Sequence, residues 1–163
     1  MTEKRQTEEK HFVEEVGLVF EQTGLPRMAG RIFGWLLISE PPHQSMDQFV
    51  KALMASKGSI STMTRLLIQL SLIERLSLPG IRHDYFRLRP HAWQYIVKRG
   101  LEDEIKMFHH LTEHGLRLTA DKALLTRQWI EEMHDVYTFL GREFPTLIER
   151  WERENKRGEL SVR

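Results

Sequence analysis

Apolar residues recur three and four positions apart through most of the chain, the period of helices that turn one face to a core. Phe12, Val16, Val19 and Phe20 form the first such face, with Thr7, Glu8 and Glu9 suited to start the helix and Gly24 to end it. Pro26 suits the first turn of the next helix, whose Ala29, Ile32, Phe33, Leu36 and Leu37 cover a broad apolar arc before Pro41 and Pro42 stop it. Gly30 and Gly34 leave one side of that helix bare, which favours close approach of a neighbouring helix over a ligand site.

The pattern then shortens. Ser45 and Gln48 make a capping box, and Met46, Phe49, Val50 and Leu53 follow it on one face. After a tight turn at Ala55 and Ser56, a second inward stripe runs through Ile60, Met63, Leu67 and Leu70, leaving Lys57, Ser59, Ser61, Thr62, Arg65 and Gln69 on the other side. Two helices joined in this way suit a DNA-reading pair whose second helix offers its N-terminal polar residues to a groove. Residues 72–78 and 84–89 then read as strands, with Pro79 and Gly80 placed for a type II turn and Arg82 and His83 at the tip. A cationic hairpin directly after a helix pair is a wing; the plainer alternative is a structural hairpin with a solvated tip.

From residue 91 the helical period resumes and runs to about residue 156. Trp93, Val97, Leu101, Ile105 and Phe108 form one stripe, and Gly115 is placed to end or kink that helix. Thr119 or Asp121 can begin a last long helix. In it Leu125, Trp129, Met133, Val136, Leu140, Phe144, Leu147 and Trp151 form a seam, interrupted at Gly141 and Pro145. The seam is longer than a small core can cover, so a second copy of the chain is its natural partner.

Charge sharpens the picture. The net charge is only +1, yet residues 56–99 carry eight Lys or Arg against Glu74 and Asp84, a local +6 balanced by −5 elsewhere. The positive segment coincides with the helix pair and hairpin, as a nucleic-acid surface requires. The absence of cysteine excludes disulfides, thiolate zinc sites and thiol switches. The charged start from Glu3 to Lys10 is unlike a signal peptide, and the longest apolar run, residues 32–38, is far short of the roughly 20 a membrane helix needs. A single cytoplasmic domain over residues 1–163, free of the membrane, is expected.

At this point the wording of the chain becomes informative. The runs Val16-Gly17-Leu18-Val19-Phe20, Gly24-Leu25-Pro26-Arg27-Met28-Ala29-Gly30-Arg31-Ile32-Phe33-Gly34-Trp35, Ala55-Ser56-Lys57-Gly58-Ser59-Ile60-Ser61, and Ile73-Glu74-Arg75 with Tyr85-Phe86-Arg87 resemble the GbsR branch of the MarR-like winged-helix regulators. Ser71 stands where such proteins often have Gly, and His83 where a second wing cation is common. The resemblance implies a mainly α winged helix-turn-helix fold with long terminal dimerisation helices. Residues 45–89 would form the helix pair and wing, and residues 7–23 and 91–156 the dimerisation region. It further implies a homodimeric repressor on a pseudo-palindromic operator, modulated by a small-molecule effector of choline-like chemistry.

On this reading Ser56, Lys57, Ser59, Ser61, Thr62 and Arg65 face the major groove, while Arg75, Arg82, His83 and Arg87 serve the wing and backbone. Trp35, Trp93, Tyr95, Phe108, Trp129 and Tyr137 are candidate effector walls, because aromatic faces attract quaternary ammonium groups; at helical spacing such residues are more often core, and packing is the favoured role for any single one of them. His109, His110, Glu113 and His114 lie close on one predicted helix but lack the His-Glu-x-x-His order of a zinc hydrolase, so neither metal nor cofactor is assigned. Ser59, Ser61 and His83 make no nucleophile motif, and the chain is not expected to be an enzyme. Two rivals remain: a winged-helix protein-interaction module without specific DNA binding, and a metal-responsive regulator.

Overall fold

The computed structural model describes residues 3–80 and 83–159. The element order is α1 (Glu3–Gln22), α2 (Arg27–Ile38), β1 (Gln44–Ser45), α3 (Met46–Leu53), α4 (Lys57–Gln69), β2 (Ile73–Leu76), β3 (Tyr85–Leu88), α5 (Ala92–Leu118) and α6 (Leu124–Glu159). The chain is mainly helical with one small antiparallel sheet, as the hydrophobic period predicts. It divides into two compact units, Met1–Trp93 and Gln94–Arg163.

In the first unit α1 ends as the sequence suggests. Gly24 adopts φ 83°, and Leu25 N–H reaches the Phe20 carbonyl at 3.0 Å while Gly24 N–H reaches Glu21 at 3.1 Å. Helix α1 begins before Thr7, at Glu3. The bare side of α2 packs on α1: a Cβ at Gly30 would stand 2.7 Å from Phe20 Cβ and 2.8 Å from Gly17 Cα, so Gly30 serves close packing. Ala29, Ile32, Phe33 and Leu36 are buried, whereas Leu37, expected in the same arc, is exposed.

The core beneath the helix pair is made by Ile32, Phe49, Ile60, Leu67, Ile73 and Phe86, all almost fully buried. Ser45 caps α3 as expected: its backbone N–H donates to Gln48 Oε1 at 2.7 Å, and Gln48 N–H donates to Ser45 Oγ at 3.3 Å. The inward stripe of α4 is Ile60, Thr64 and Leu67, with Met63 and Leu70 only half-buried. Thr64 is tolerated inside because its hydroxyl donates to the Ile60 carbonyl at 2.9 Å.

Helix α4 ends in a Schellman motif around Ser71, which adopts φ 60°; Ser71 N–H donates to Ile68 O and Leu72 N–H to Leu67 O, both at 2.9 Å. The strands are shorter than predicted, and a third, β1, makes the sheet order β1-β3-β2. Gln44 pairs with Phe86 and Ser45 with Tyr85 on one side, while Ile73 pairs with Leu88 and Leu76 with Tyr85 on the other. Two residues carry too little alternation to reveal a strand. Gly80 has φ 79°, the positive angle demanded by the second central position of a type II turn.

In the second unit α5 and α6 lie antiparallel. Lys98 pairs with Glu152 at 3.2 Å, the Phe108 and Tyr137 rings stack at 4.8 Å, and Thr112 meets His134 at 3.0 Å. Gly115 neither ends nor kinks α5, which continues to Leu118; it lies beneath Ile130. Thr119 closes the helix instead, its hydroxyl donating to Gly115 O at 2.8 Å. Helix α6 starts at Leu124, later than expected, and runs through Gly141 and Pro145 without a break. Among the described residues, no helix is long and apolar enough to cross a membrane.

Candidate nucleic-acid interface

The polar row of α4 begins at its cap. Ser56 adopts extended backbone and its Oγ accepts Ser59 N–H at 3.2 Å, leaving its hydroxyl proton available to an outside acceptor. Lys57, Thr62 and Arg65 are exposed; Ser59 and Ser61 are half-buried. Helix α3 closes at Met54, whose backbone is left-handed (φ 50°, ψ 43°) and whose side chain is 87% exposed. Arg31 steadies that turn, its Nη2 donating to Leu53 O at 2.9 Å while Glu14 holds its Nε at 2.7 Å. The six predicted helix residues therefore lie along one short stretch of a helix whose opposite side is anchored in the core.

Most of the predicted cations are not free. Lys57 Nζ lies 3.2 Å from Asp47 Oδ1, and Arg65 Nε turns back to the Ser61 carbonyl at 3.3 Å. On the hairpin, Arg75 pairs with Asp84 at 3.4 Å. Arg87 lies directly across from Glu74 in the ladder and pairs with it at 2.6 Å. His83 Nε2 meets the Tyr85 hydroxyl at 3.3 Å, and His43 packs edge-on to the same ring. Arg82 lies outside the described residues. The local charge excess read from the sequence is thus partly cancelled where it matters, a feature that side-chain counting misses because Asp47 lies outside the basic segment.

The predicted aromatic walls fall in different places. Trp35 is half-buried in the first unit, and its indole N–H donates to Gln44 Oε1 at 3.2 Å. It lines two hollows, one of about 210 Å³ with Lys10, Val13, Arg31 and Leu53, the other of about 430 Å³ with Lys10, Gln48 and Lys51. Trp93 is 58% exposed, its ring 6.1 Å from that of Phe33. Phe108 and Tyr137 spend their faces on each other, and Trp129 is 68% exposed. The side chain of Tyr95 lies outside the described residues.

Of the histidines, His109 Nδ1 is 4.0 Å and His110 Nδ1 3.9 Å from Glu113, while the rings of His109 and His134 are 5.0 Å apart. Among the described residues, no group of three or more His, Asp or Glu is arranged to hold a metal ion.

Residues 91–154 match the profile of the MmpR5-like MarR family transcriptional regulators. Over 129 residues, 79% of this chain and 78% of the other, the sequence is 40% identical to the HTH-type transcriptional regulator MmpR5 of Mycobacterium tuberculosis. The chain belongs to the MarR family of transcriptional regulators. This MarR-family protein is also 22% identical, over 90% of its length and 89% of the other's, to the putative HTH-type transcriptional regulator YvaV of Bacillus subtilis. A solved structure of a transcriptional regulator superposes with a TM-score of 0.61 at 36% identity, covering 90% of this chain and 99% of that one. The relatives are regulators and not enzymes, and the winged-helix fold class follows from them together with the helix pair and antiparallel sheet.

Proposed function

We propose that this MarR-family regulator is a homodimeric repressor that reads duplex DNA through α4 and steadies itself on the backbone through the β2–β3 hairpin. The observation that carries the reading is the exposed polar row Ser56, Lys57, Thr62 and Arg65, held outward by Ile60, Thr64 and Leu67 at fixed rotation on the core. Lys57 and Arg65 suit guanine O6 and N7 or nearby phosphates, and the hydroxyls of Ser56, Ser59, Ser61 and Thr62 suit base edges or phosphate oxygens. Arg82 and His83 would serve the hairpin tip. Arg75 and Arg87, already paired, shape the wing more than they charge it.

Residues 7–23 and 91–156 are the proposed dimerisation region. Helix α6 turns Ile130, His134, Tyr137 and Gly141 toward α5, whereas Leu125, Trp129, Val136, Leu140 and Leu147 on its neighbouring face are 36–74% exposed. A continuous apolar stripe left to water supports a second copy as its cover. Two reading helices related by a two-fold axis call for a pseudo-palindromic site.

Effector control is part of the same reading, and the hollows beside Trp35 support a small molecule near the helix pair. The GbsR resemblance implies a choline-like effector; around these hollows Lys10, Arg31 and Lys51 are opposed by the carboxylates of Glu9 and Glu14, a mixed lining in which a cation would have to sit against the carboxylates and away from the cations. Protection of DNA upstream of the protein's own gene or of a neighbouring gene, repeated at several salt concentrations, tests the reading. Failure to retain any duplex even at low salt would overturn it.

A further inference from the structure

The ion pair between Lys57 and Asp47 has no evident task in folding. Its side chains are 72% and 85% exposed, a setting in which such pairs contribute little to stability. Its location is more telling. Asp47 sits in the first turn of α3 and Lys57 is the first residue of α4, so the pair bridges the N-terminal ends of both helices of the reading unit. The first helix of such a unit crosses the DNA backbone, where a carboxylate meets phosphate with like charge.

We propose that Asp47 is a specificity-determining residue of this DNA interface, its carboxylate 3.2 Å from Lys57 holding that cation in reserve until a well-placed DNA acceptor replaces it. The inference rests on the proposed reading of DNA through α4. Seen from beyond a Debye length, the pair is neutral, so Lys57 adds nothing to the attraction that any polyanion feels. A random phosphate array offers Lys57 one anion in exchange for another and also presses against Asp47. A guanine edge within reach of Lys57 offers two fixed acceptors and no added negative charge, so the exchange is favourable there. Asp47 therefore weakens binding to arbitrary sequence more than binding to the correct one. Asp84 and Glu74 pair with Arg75 and Arg87 on the hairpin, but those contacts also brace the ladder and carry no such clean reading.

The test compares the full chain with Asp47→Asn, which keeps the shape of the side chain and removes its charge. Fluorescence anisotropy is measured on a random-sequence duplex and on a duplex enriched by selection with the wild-type protein, each at several salt concentrations. Asp47→Asn should tighten binding to the random duplex by about two- to fivefold, the range of an exposed charge pair. It should also steepen the logarithmic salt slope by about 0.9 for each protomer, the signature of one more phosphate neutralised. Affinity for the selected duplex should rise less, so the ratio of the two affinities falls. Loss of the negative charge near the α3 N-terminus lowers helix stability, and a damaged fold cannot produce a gain in binding. Repeating the substitution alongside Lys57→Ala should remove most of that gain. If both duplexes keep their affinity and slope, or if the gain is the same with Lys57→Ala present, Asp47 does not act through Lys57. If the wild-type protein binds no duplex at all, the failure belongs to the DNA-binding reading itself.

Discussion

Ile130 of α6 occupies the space where a side chain at Gly115 of α5 would begin: a Cβ there would stand 2.7 Å from both Cδ1 and Cγ1 of Ile130. Ile is stiff near its branch point, so the helices would have to separate. Gly115→Ala should therefore destabilise the protein, because overpacking costs about 1–3 kcal/mol and outweighs the roughly 1 kcal/mol that Ala adds in helix propensity. Gly100, in the same helix, has open space around it. Gly100→Ala should stabilise by about 0.8 kcal/mol. Urea denaturation of the two variants gives opposite signs if α5 and α6 touch as described.

Ser71 provides a second signed test. It holds φ 60° at the end of α4, a conformation that costs a residue with a Cβ about 1–2 kcal/mol. Ser71→Gly removes that cost and adds a smaller loss of unfolded-chain entropy, for a net gain of about 0.5–1 kcal/mol. Ser71→Val should lower the melting temperature. A Gly variant less stable than wild type would mean that the Ser hydroxyl matters more than the backbone.

If the exposed stripe of α6 holds the proposed dimer, Trp129→Asp or Val136→Asp, each placing a charge in it, should yield folded monomers with weakened DNA binding, read by sedimentation velocity and circular dichroism. Tyr137→Asp lies against Phe108 and should instead unfold the α5–α6 pair. Dimers that persist in both stripe variants would remove this face from the interface.

Helix and hairpin should divide their labour. Thr62→Ala or Arg65→Ala should cost roughly 1–3 kcal/mol on a selected duplex and flatten its preference over scrambled sequence. Arg82→Ala should weaken both duplexes alike and lower the salt slope by about 0.9 for each phosphate left without its cation. Arg87→Ala, which frees Glu74 at the same time, should weaken both through added negative charge without changing discrimination. Anisotropy on the two duplexes separates these outcomes.

Much of the first unit was legible because its signals are local. The capping box at Ser45 and Gln48, the left-handed Gly24 and the positive φ of Gly80 each depend on a few neighbouring residues, and each is where the sequence puts it. The resemblance even pointed to Ser71 as an odd residue at a glycine position, and its backbone shows why glycine is common there. What escaped is what depends on partners distant in sequence. Thr64 reads as polar until its hydroxyl is seen bonded to Ile60, and β1 exists only because β3 lies beside it. The apolar repeat of α6 does not say which of two adjoining faces meets α5; the face through Ile130 and Tyr137 does, while the more regular seam through Trp129 and Val136 stays outside. The polar row of α4 and the basic hairpin follow from helical period and turn residues, but their ion pairs with Asp47, Glu74 and Asp84 needed coordinates.

Ser45 belongs to two structures at once. Its backbone pairs with Tyr85 in the sheet, and its side chain opens α3 through the Gln48 amide N–H. The sheet and α3 therefore share a residue, beside the Gln44–Phe86 pairing and the Phe49–Phe86 ring contact that also join them. If the hairpin meets the DNA backbone and α4 the bases, as proposed, the two contacts share this foundation. On the proposed reading, a ligand that displaced β3 would press first on the cap of α3, because Ser45 is where the sheet ends and that helix begins.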